Sequence, residues 1–291
     1  MRWRLLVSEI TDPVRNLATE EAIVRCRTED ACPDTLRVWR NDASVVLGCN
    51  SIVRDEVDLQ ACRRMGINVL RRTSGGGAVY HDLGNLNYSI ILKETHTDRE
   101  PDIHDVYERF AKAVTSGLKR LDVEAEFHKP NSILLNDKKI SGMAQHRFYD
   151  VMLLHGTLLV NSNLHALSSV LLHPKQEVTS ISYELGCHVL LGVVEKAIVQ
   201  GFRELLGIRF HTSGLTIGES EMLEELVATK YGTERWNLHI DEELCVDEFL
   251  RIPTVELRIS STGEQPFLGD FGLNPLRPNL ESSRKDGECT L

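Results

Sequence analysis

Apolar residues change period repeatedly along the chain, and each change marks an element. Arg2–Val7 reads as a short strand. Over 16–27, Leu17, Ala18, Ala22, Ile23 and Cys26 recur at helical spacing and predict a helix. Thr35–Trp39 and Ser44–Leu47 read as strands, 57–65 as a helix and 68–70 as the next strand. A glycine-rich loop follows at 74–77, and 87–92 alternates like a strand. Val106, Phe110, Ala113, Val114, Leu118 and Leu121 form one apolar stripe, which predicts an amphipathic helix. Asn136-Asp137 is a turn signal between strand-like runs at Ser132–Leu135 and 138–144. A strand is expected at 151–160. A helix is expected over 187–206 with Val189, Val193, Ala197, Phe202 and Leu206 facing in, and a charged helix over 219–231 ending before Gly232.

Strands and helices come in mixed runs, not in βαβ alternation, so the expected class is α+β with a mixed sheet and flanking helices. Composition shifts after Trp236. The expected division is a main domain over 1–237 and a small appended region over 238–291, with a strand at 255–259 and a polar end. The 291 residues are 42% hydrophobic and 26% charged, which allows a proper core. A net charge of −10 argues against a nucleic-acid polymer as partner. No apolar run reaches a membrane span or a secretory h-region, and seven scattered cysteines without metal-ligand spacing fit a reducing cytoplasm.

Candidate chemistry begins at Arg71-Arg72-Thr73-Ser74-Gly75-Gly76-Gly77-Ala78-Val79-Tyr80-His81-Asp82. Three glycines remove every β-carbon from one stretch of backbone, so a ligand can approach its N–H groups. Two arginines precede them and can meet a carboxylate or phosphate. The loop is neither GxxxxGK[ST] nor GxGxxG. A second segment, 138–145, sets Lys138 and Lys139 before small residues. Strand alternation points one lysine to a pocket and the other to water. In the third segment, 154–159, His155 and Gly156 interrupt an apolar strand.

Together these segments resemble the lipoate–protein ligase family. RR-x-SGGG-AV-x-H-D runs from Arg71 to Asp82, K-I-S-G-x-A-x-x-R from Lys139 to Arg147, and H-G-T-L-L from His155 to Leu159. Segments 16–21, 35–37, 178–181 and 230–237 also fit, in the family's order. The resemblance implies a catalytic domain related to biotin ligases, although the alternating Gly and Arg of a biotin ligase loop is absent. It implies activation of lipoate (or octanoate) by ATP and Mg2+ to an acyl-adenylate, then transfer to a lysine of an acceptor. Lys139 takes the catalytic role. Arg72, Ser74, Gly75, Gly76, Gly77, Ala78 and His155 fall at the lipoate. Arg71, Tyr80, His81, Asn85, Asn131, Ser141, Gly142, Ala144 and Gly156 fall at the nucleotide, with Asn131 also at Mg2+.

The resemblance departs at Asn131-Ser132, where many members carry Asn-Asp; Asp137 or a substrate phosphate is expected to compensate. The alternative within the superfamily is an octanoyl transferase working through a cysteine thioester without ATP. No cysteine lies between Cys62 and Cys187, where such a nucleophile belongs, and Cys187 is expected as a buried helix-start residue. A catalytically impaired lipoyl-binding relative is the non-enzymatic alternative. The implied partners are a lipoyl-domain acceptor and a separate accessory subunit. The acceptor is a 2-oxoacid dehydrogenase E2, a glycine-cleavage H-type protein or a specialised lipoate-binding protein.

Overall fold

The computed structural model describes residues 2–94, 103–173 and 176–239. The expected appendage at 238–291 therefore lies outside the described residues from 240 onward. The first half of the chain carries β1 (Arg2–Val7), α1 (Pro13–Thr28), β2 (Thr35–Trp39), β3 (Ser44–Leu47), α2 (Val53–Glu56), α3 (Leu59–Met65), β4 (Asn68–Arg71), β5 (Val79–His81) and β6 (Asn85–Lys93). There follow α4 (Ile103–Lys119), β7 (Glu126–His128), β8 (Ser132–Leu135), β9 (Lys138–Phe148), β10 (Val151–Leu159), α5 (Leu164–Val170), α6 (Ile181–Leu185) and α7 (Leu191–Leu206). The last described elements are β11 (Arg209–Thr212), α8 (Ile217–Leu226), a π-helical turn at Val227–Tyr231 and α9 (Glu234–Leu238).

Eight strands form one sheet in the order β11-β1-β2-β6-β10-β9-β8-β7, and three form a second, β4-β3-β5. β1 runs parallel to β11 and β2, and neighbours from β2 to β7 are antiparallel. The architecture is thus α+β with a mixed sheet, as expected. Alternation splits the large sheet between two cores. Ile90, Met152 and Leu154 pack under α4 and α7, whereas Ile91, Val151 and Leu153 meet Ile23 and Val24 of α1. The central strand β6 is consequently buried on both faces along most of its length. Helices α4 and α7 cross through two glycines: a β-carbon on Gly201 would lie 2.1 Å from the Ala113 carbonyl oxygen, and one on Gly117 2.6 Å from that of Ala197.

Several expected boundaries move. The helix expected over 187–206 starts only at Leu191, because the preceding α6 ends at Leu185 under the cap of Gly186 at φ 65°. Ala197 and Phe202 are buried there and Val189 and Leu206 pack against the same core, as expected, but Val193 is 44% exposed and Val194 takes the inward place instead. Cys187, expected to be buried, is exposed. The 57–65 helix starts at Leu59, where Asp58 caps it by accepting from the Ala61 N–H. The 219–231 helix starts at Ile217 behind a Thr216–Glu219 capping box, and its last turn widens to a π-turn.

Candidate active site

The candidate site lies on the α1 face of the large sheet, where the glycine loop, β9 and β10 meet. Directly paired residues share a face. Arg37 pairs Ser89, Ser89 pairs His155 and His155 pairs Ala144, so β2, β6, β10 and β9 each send one of them toward α1.

The base of the loop is buried and its tip is open. Arg71, Arg72, Thr73 and Ser74 are at most 7% exposed, whereas Gly75, Gly76 and Gly77 face solvent. The loop lies so close to Gly48 that a β-carbon there would sit 1.9 Å from the Gly76 carbonyl oxygen. The Ser51 hydroxyl donates to the same carbonyl at 3.2 Å, and the Ala78 N–H donates to Glu56. Arg72 ties the loop to itself. Its guanidinium donates to Val46 O (2.9 Å), Ser74 Oγ (2.9 Å), Gly75 O (2.6 Å) and Gly77 O (3.0 Å). Burial pushes it down to about 10, which still leaves a cation at neutral pH.

Ser74 joins a second chain of bonds. Its Oγ lies 2.6 Å from His155 Nε2, and His155 Nδ1 lies 3.0 Å from both carboxylate oxygens of Glu20. Glu20 also accepts from Ser89 Oγ at 2.5 Å, and Ser89 Oγ accepts from Trp39 Nε1 at 2.8 Å. Burial raises the Glu20 carboxyl, but His155, Arg37 and Ser89 outweigh it and leave it below the usual carboxylate range.

A third chain fixes His81. Arg37 donates to both the carbonyl and the side-chain oxygen of Asn16. Asn16 Nδ2 donates to Ile10 O, Arg40 O and Asn41 Oδ1. Asn41 therefore presents its Nδ2 to His81 Nδ1, at 3.1 Å. His81 Nδ1 must accept, so its proton sits on Nε2. That Nε2 is buried and has no partner among the described residues. Burial and then Arg72 push the ring down to about 3, so it stays neutral. Asn85 Oδ1 and Asn87 Nδ2, on the same face of β6, are also buried without partners among the described residues. Each of these three buried polar atoms is open to a bond from a ligand or from water.

Lys139 is held on both sides. Its N–H donates to Glu177 O at 2.8 Å, and its carbonyl accepts from Thr179 N at 3.0 Å. Its Nζ lies 3.1 Å from where a β-carbon of Gly142 would be, so the side chain runs along the face that carries Gly142 and Ala144. Lys138 instead pairs with Glu184 and Glu177 near the surface, at 3.4 and 3.6 Å. One lysine at the site and one toward water is the expected division.

Several expected site residues stand elsewhere. Ser141 pairs Ile133 and points into the core beneath α4, away from Gly142, because Ile140 is an extra residue at a bulge opposite β8. Gly156 makes room for the Tyr88 phenol, which a β-carbon would meet at 2.3 Å. Tyr80 packs into the core of the small sheet, where burial and Asp82 push its hydroxyl up to about 12. Arg71 is 1% exposed, with its guanidinium on the carbonyls of Gly48, Cys49, Ser51 and Trp236. It stands as a brace under the loop. Asn131 donates from Nδ2 to Met143 O at 2.5 Å, and Asp137 is exposed at the tip of the hairpin turn. Among the described residues no three His, Cys, Asp or Glu side chains could hold a metal.

Glu20, Arg37, Asn16, Asn41 and Asn87 were given no site role from the sequence, although Asn16, Glu20 and Arg37 fall in the resembling 16–21 and 35–37 segments. Their signal was a run of polar residues interrupting the buried face of α1 and the centres of two strands. Buried Cys49 adjoins the loop, its N–H donating to Ser74 O at 2.9 Å.

The family model described as the lipoyl protein ligase A/B catalytic domain matches residues 12–203, which include every segment of this site before the π-turn. The chain belongs to that family. Among its relatives is an octanoyltransferase LipM from Moorella thermoacetica, 32% identical over 80% of this chain and 97% of its own length. A Thermoplasma acidophilum protein solved with bound lipoic acid is 33% identical over 82% of this chain and all of its own, with a TM-score of 0.74. A lipoate-protein ligase A solved with bound ATP is also 33% identical, over 82% of this chain and 99% of its own, with a TM-score of 0.75. The family thus contains both ligases and transferases, and this chain is similar to both. No described helix is long and apolar enough to cross a membrane.

Proposed function

We propose that the protein is an ATP-dependent lipoate–protein ligase that forms lipoyl-AMP and passes the lipoyl group to a lysine of a lipoyl-domain protein. The observation that carries this reading is Lys139, clamped between Glu177 and Thr179 with its ammonium over Gly142. No cysteine stands in β8, β9 or the neighbouring 176–180 segment. A carboxylate is a poor acyl donor. An ammonium beside the carboxylate and the α-phosphate offsets the negative charge that gathers as a carboxylate oxygen attacks phosphorus and pyrophosphate leaves. The acceptor amine then attacks the acyl carbon, and AMP departs. The neutral His81 Nε2–H is a donor for a phosphate oxygen, and Arg72 with Ser74 is the matching pair for the acid. Magnesium would enter with the ATP phosphates and complete its shell with water and at most a few protein oxygens, such as that of Asn131.

Purified protein with ATP, Mg2+ and lipoate, without acceptor, should release pyrophosphate and accumulate lipoyl-AMP. Lys139→Ala should lower this rate at least about a hundredfold, the scale of losing one aligned charge in a site of this kind. Adenylate formed equally well by the variant would remove Lys139 from the reaction. The second reading, transfer of an octanoyl group without ATP, is favoured by the likeness to LipM and by Cys49 beside the loop. ATP-independent octanoyl transfer lost in Cys49→Ser would establish it.

A further inference from the structure

We propose that Glu56 is a positioning residue: it fixes the peptide unit between Gly77 and Ala78 and ties the glycine loop to the chain that clamps Lys139. The inference rests on the reading that this loop lines the site of the acid substrate. Three successive peptide units form the tip of the loop, and each has its carbonyl held. Arg72 Nη2 donates to Gly75 O at 2.6 Å and to Gly77 O at 3.0 Å, and Ser51 Oγ donates to Gly76 O at 3.2 Å. In a trans peptide the N–H points opposite to the C=O, so the N–H groups that follow, those of Gly76, Gly77 and Ala78, face away from these donors. The third of them meets Glu56: the Ala78 N–H donates to its Oε2.

This third unit is therefore gripped by charge at both ends, a guanidinium on the oxygen and a carboxylate on the N–H. Turned over, it would set its oxygen against the carboxylate and its N–H against the guanidinium. The grip matters because glycine loses more backbone freedom on ordering than any other residue. Where folding has already borne that loss, binding of the acid does not bear it again. The carboxylate is close enough that a β-carbon on Gly77 would lie 3.3 Å from Oε2. The main chain of Glu56 makes the second tie. Its carbonyl accepts from Leu172 N–H at 2.9 Å, Val57 bridges Leu171, and Asp58 N–H donates to Val170 O at 2.9 Å. Five residues beyond Leu172 the same chain reaches Glu177, whose carbonyl accepts the Lys139 N–H. The loop and the Lys139 clamp are thus both anchored on one short helix, α2.

The test compares Glu56→Ala with Glu56→Gln, which keeps an acceptor in place, in the full chain. Amide hydrogen exchange is read at Ala78, and adenylate formation with ATP and Mg2+ is followed over a range of lipoate. Glu56→Ala should speed exchange at Ala78 and raise the KM for lipoate about tenfold, with little change in kcat. Glu56→Gln should restore slow exchange and most of the KM. A purely structural role would lower the thermal midpoint of Glu56→Ala and leave its KM alone. Should Glu56→Ala fail to fold, Glu56→Asp, charged but one methylene shorter, takes its place. An unchanged KM in Glu56→Ala, or a Glu56→Gln as impaired as Glu56→Ala, overturns the proposal and leaves the ligase reading standing. No adenylate from the unaltered chain overturns the ligase reading; exchange at Ala78, which needs no catalysis, then decides the proposal, and equal exchange in the unaltered chain and Glu56→Ala overturns it.

Discussion

At the scale of single residues, the site is ordered by hydrogen bonds whose direction is forced. Arg37 can only donate, and this sets the Asn16 amide; Asn16 sets Asn41, and Asn41 sets the tautomer of His81. Asn41→Asp would reverse the last link. The carboxylate accepts from Nδ1–H, and Nε2 turns from donor to acceptor. The KM for ATP in adenylate formation should rise roughly tenfold or more with little change in KM for lipoate; an unchanged KM for ATP would remove His81 from the nucleotide site. His81 also sets a pH window. Its folded value of about 3 lies below the ordinary 6.5, so the unfolded chain takes up a proton that the native state refuses. Stability should therefore be full above 6.5 and fall as pH drops toward 3, by up to about 1.4 kcal/mol per pH unit. Urea unfolding at pH 7.5 and 5.0 measures this, and His81→Gln should fall less steeply. Of these residues the motif made His81, Ser74 and His155 visible. Asn41 and Asn87 were not, and Arg37 stood out only as part of a resembling segment, because an isolated polar residue in a strand looks the same whether it faces water or completes a buried chain of donors.

At the scale of elements, length and punctuation decided what could be read in advance. The long amphipathic helix α4 and the β8–β9 hairpin carry strong signals, and Asn136 and Asp137 both take the positive φ that a tight hairpin turn demands. β5, β7 and β11 are three or four residues long, too short to show a period, and their pairing is decided by distant partners. In the 187–206 stretch the stripe through Ala197 and Phe202 was legible, and contact with α4 buries Val194 where Val193 was expected. That contact is tight at the two glycines. Gly201→Ala should lower unfolding stability by about 1–3 kcal/mol, the usual range for overpacking, as read by the urea midpoint. A neutral result would mean the two helices can part without loss. The bulge at Ile140 was equally invisible beforehand, since only the register with β8 reveals it, and it sends Ser141 to the core while Gly142 stays at the site.

At the scale of the whole chain, the segment that closes the described fold reaches back to the loop. Trp236 donates from its indole to Arg71 O at 2.9 Å, and Asn237 accepts from Arg71 N at 3.0 Å. Lys230 lies over the Trp236 ring at 4.0 Å and pairs with Glu21, the neighbour of Glu20. A chain ended after Gly232 should lose lipoate binding together with thermal stability, whereas one ended after His239 should keep both; equal binding by the two would show that the loop stands without this brace. The resemblance over 230–237 was legible in the sequence, but its use was not, because the bonds span some 165 residues. The way Arg72 is saturated also bears on the working cycle. On the proposed function an incoming acid would not meet an empty guanidinium; it would compete with the carbonyls of Gly75 and Gly77, which are tethered and never diffuse away. A charged carboxylate can outbid a neutral carbonyl for that fork, and an amide cannot. Lipoamide should therefore bind far more weakly than lipoate despite its identical tail. On the proposed function the same contest would run in reverse at the end of a turnover: once the acyl group became an amide on its acceptor, the loop would reclaim its arginine, and the product would be left with nothing to hold it there.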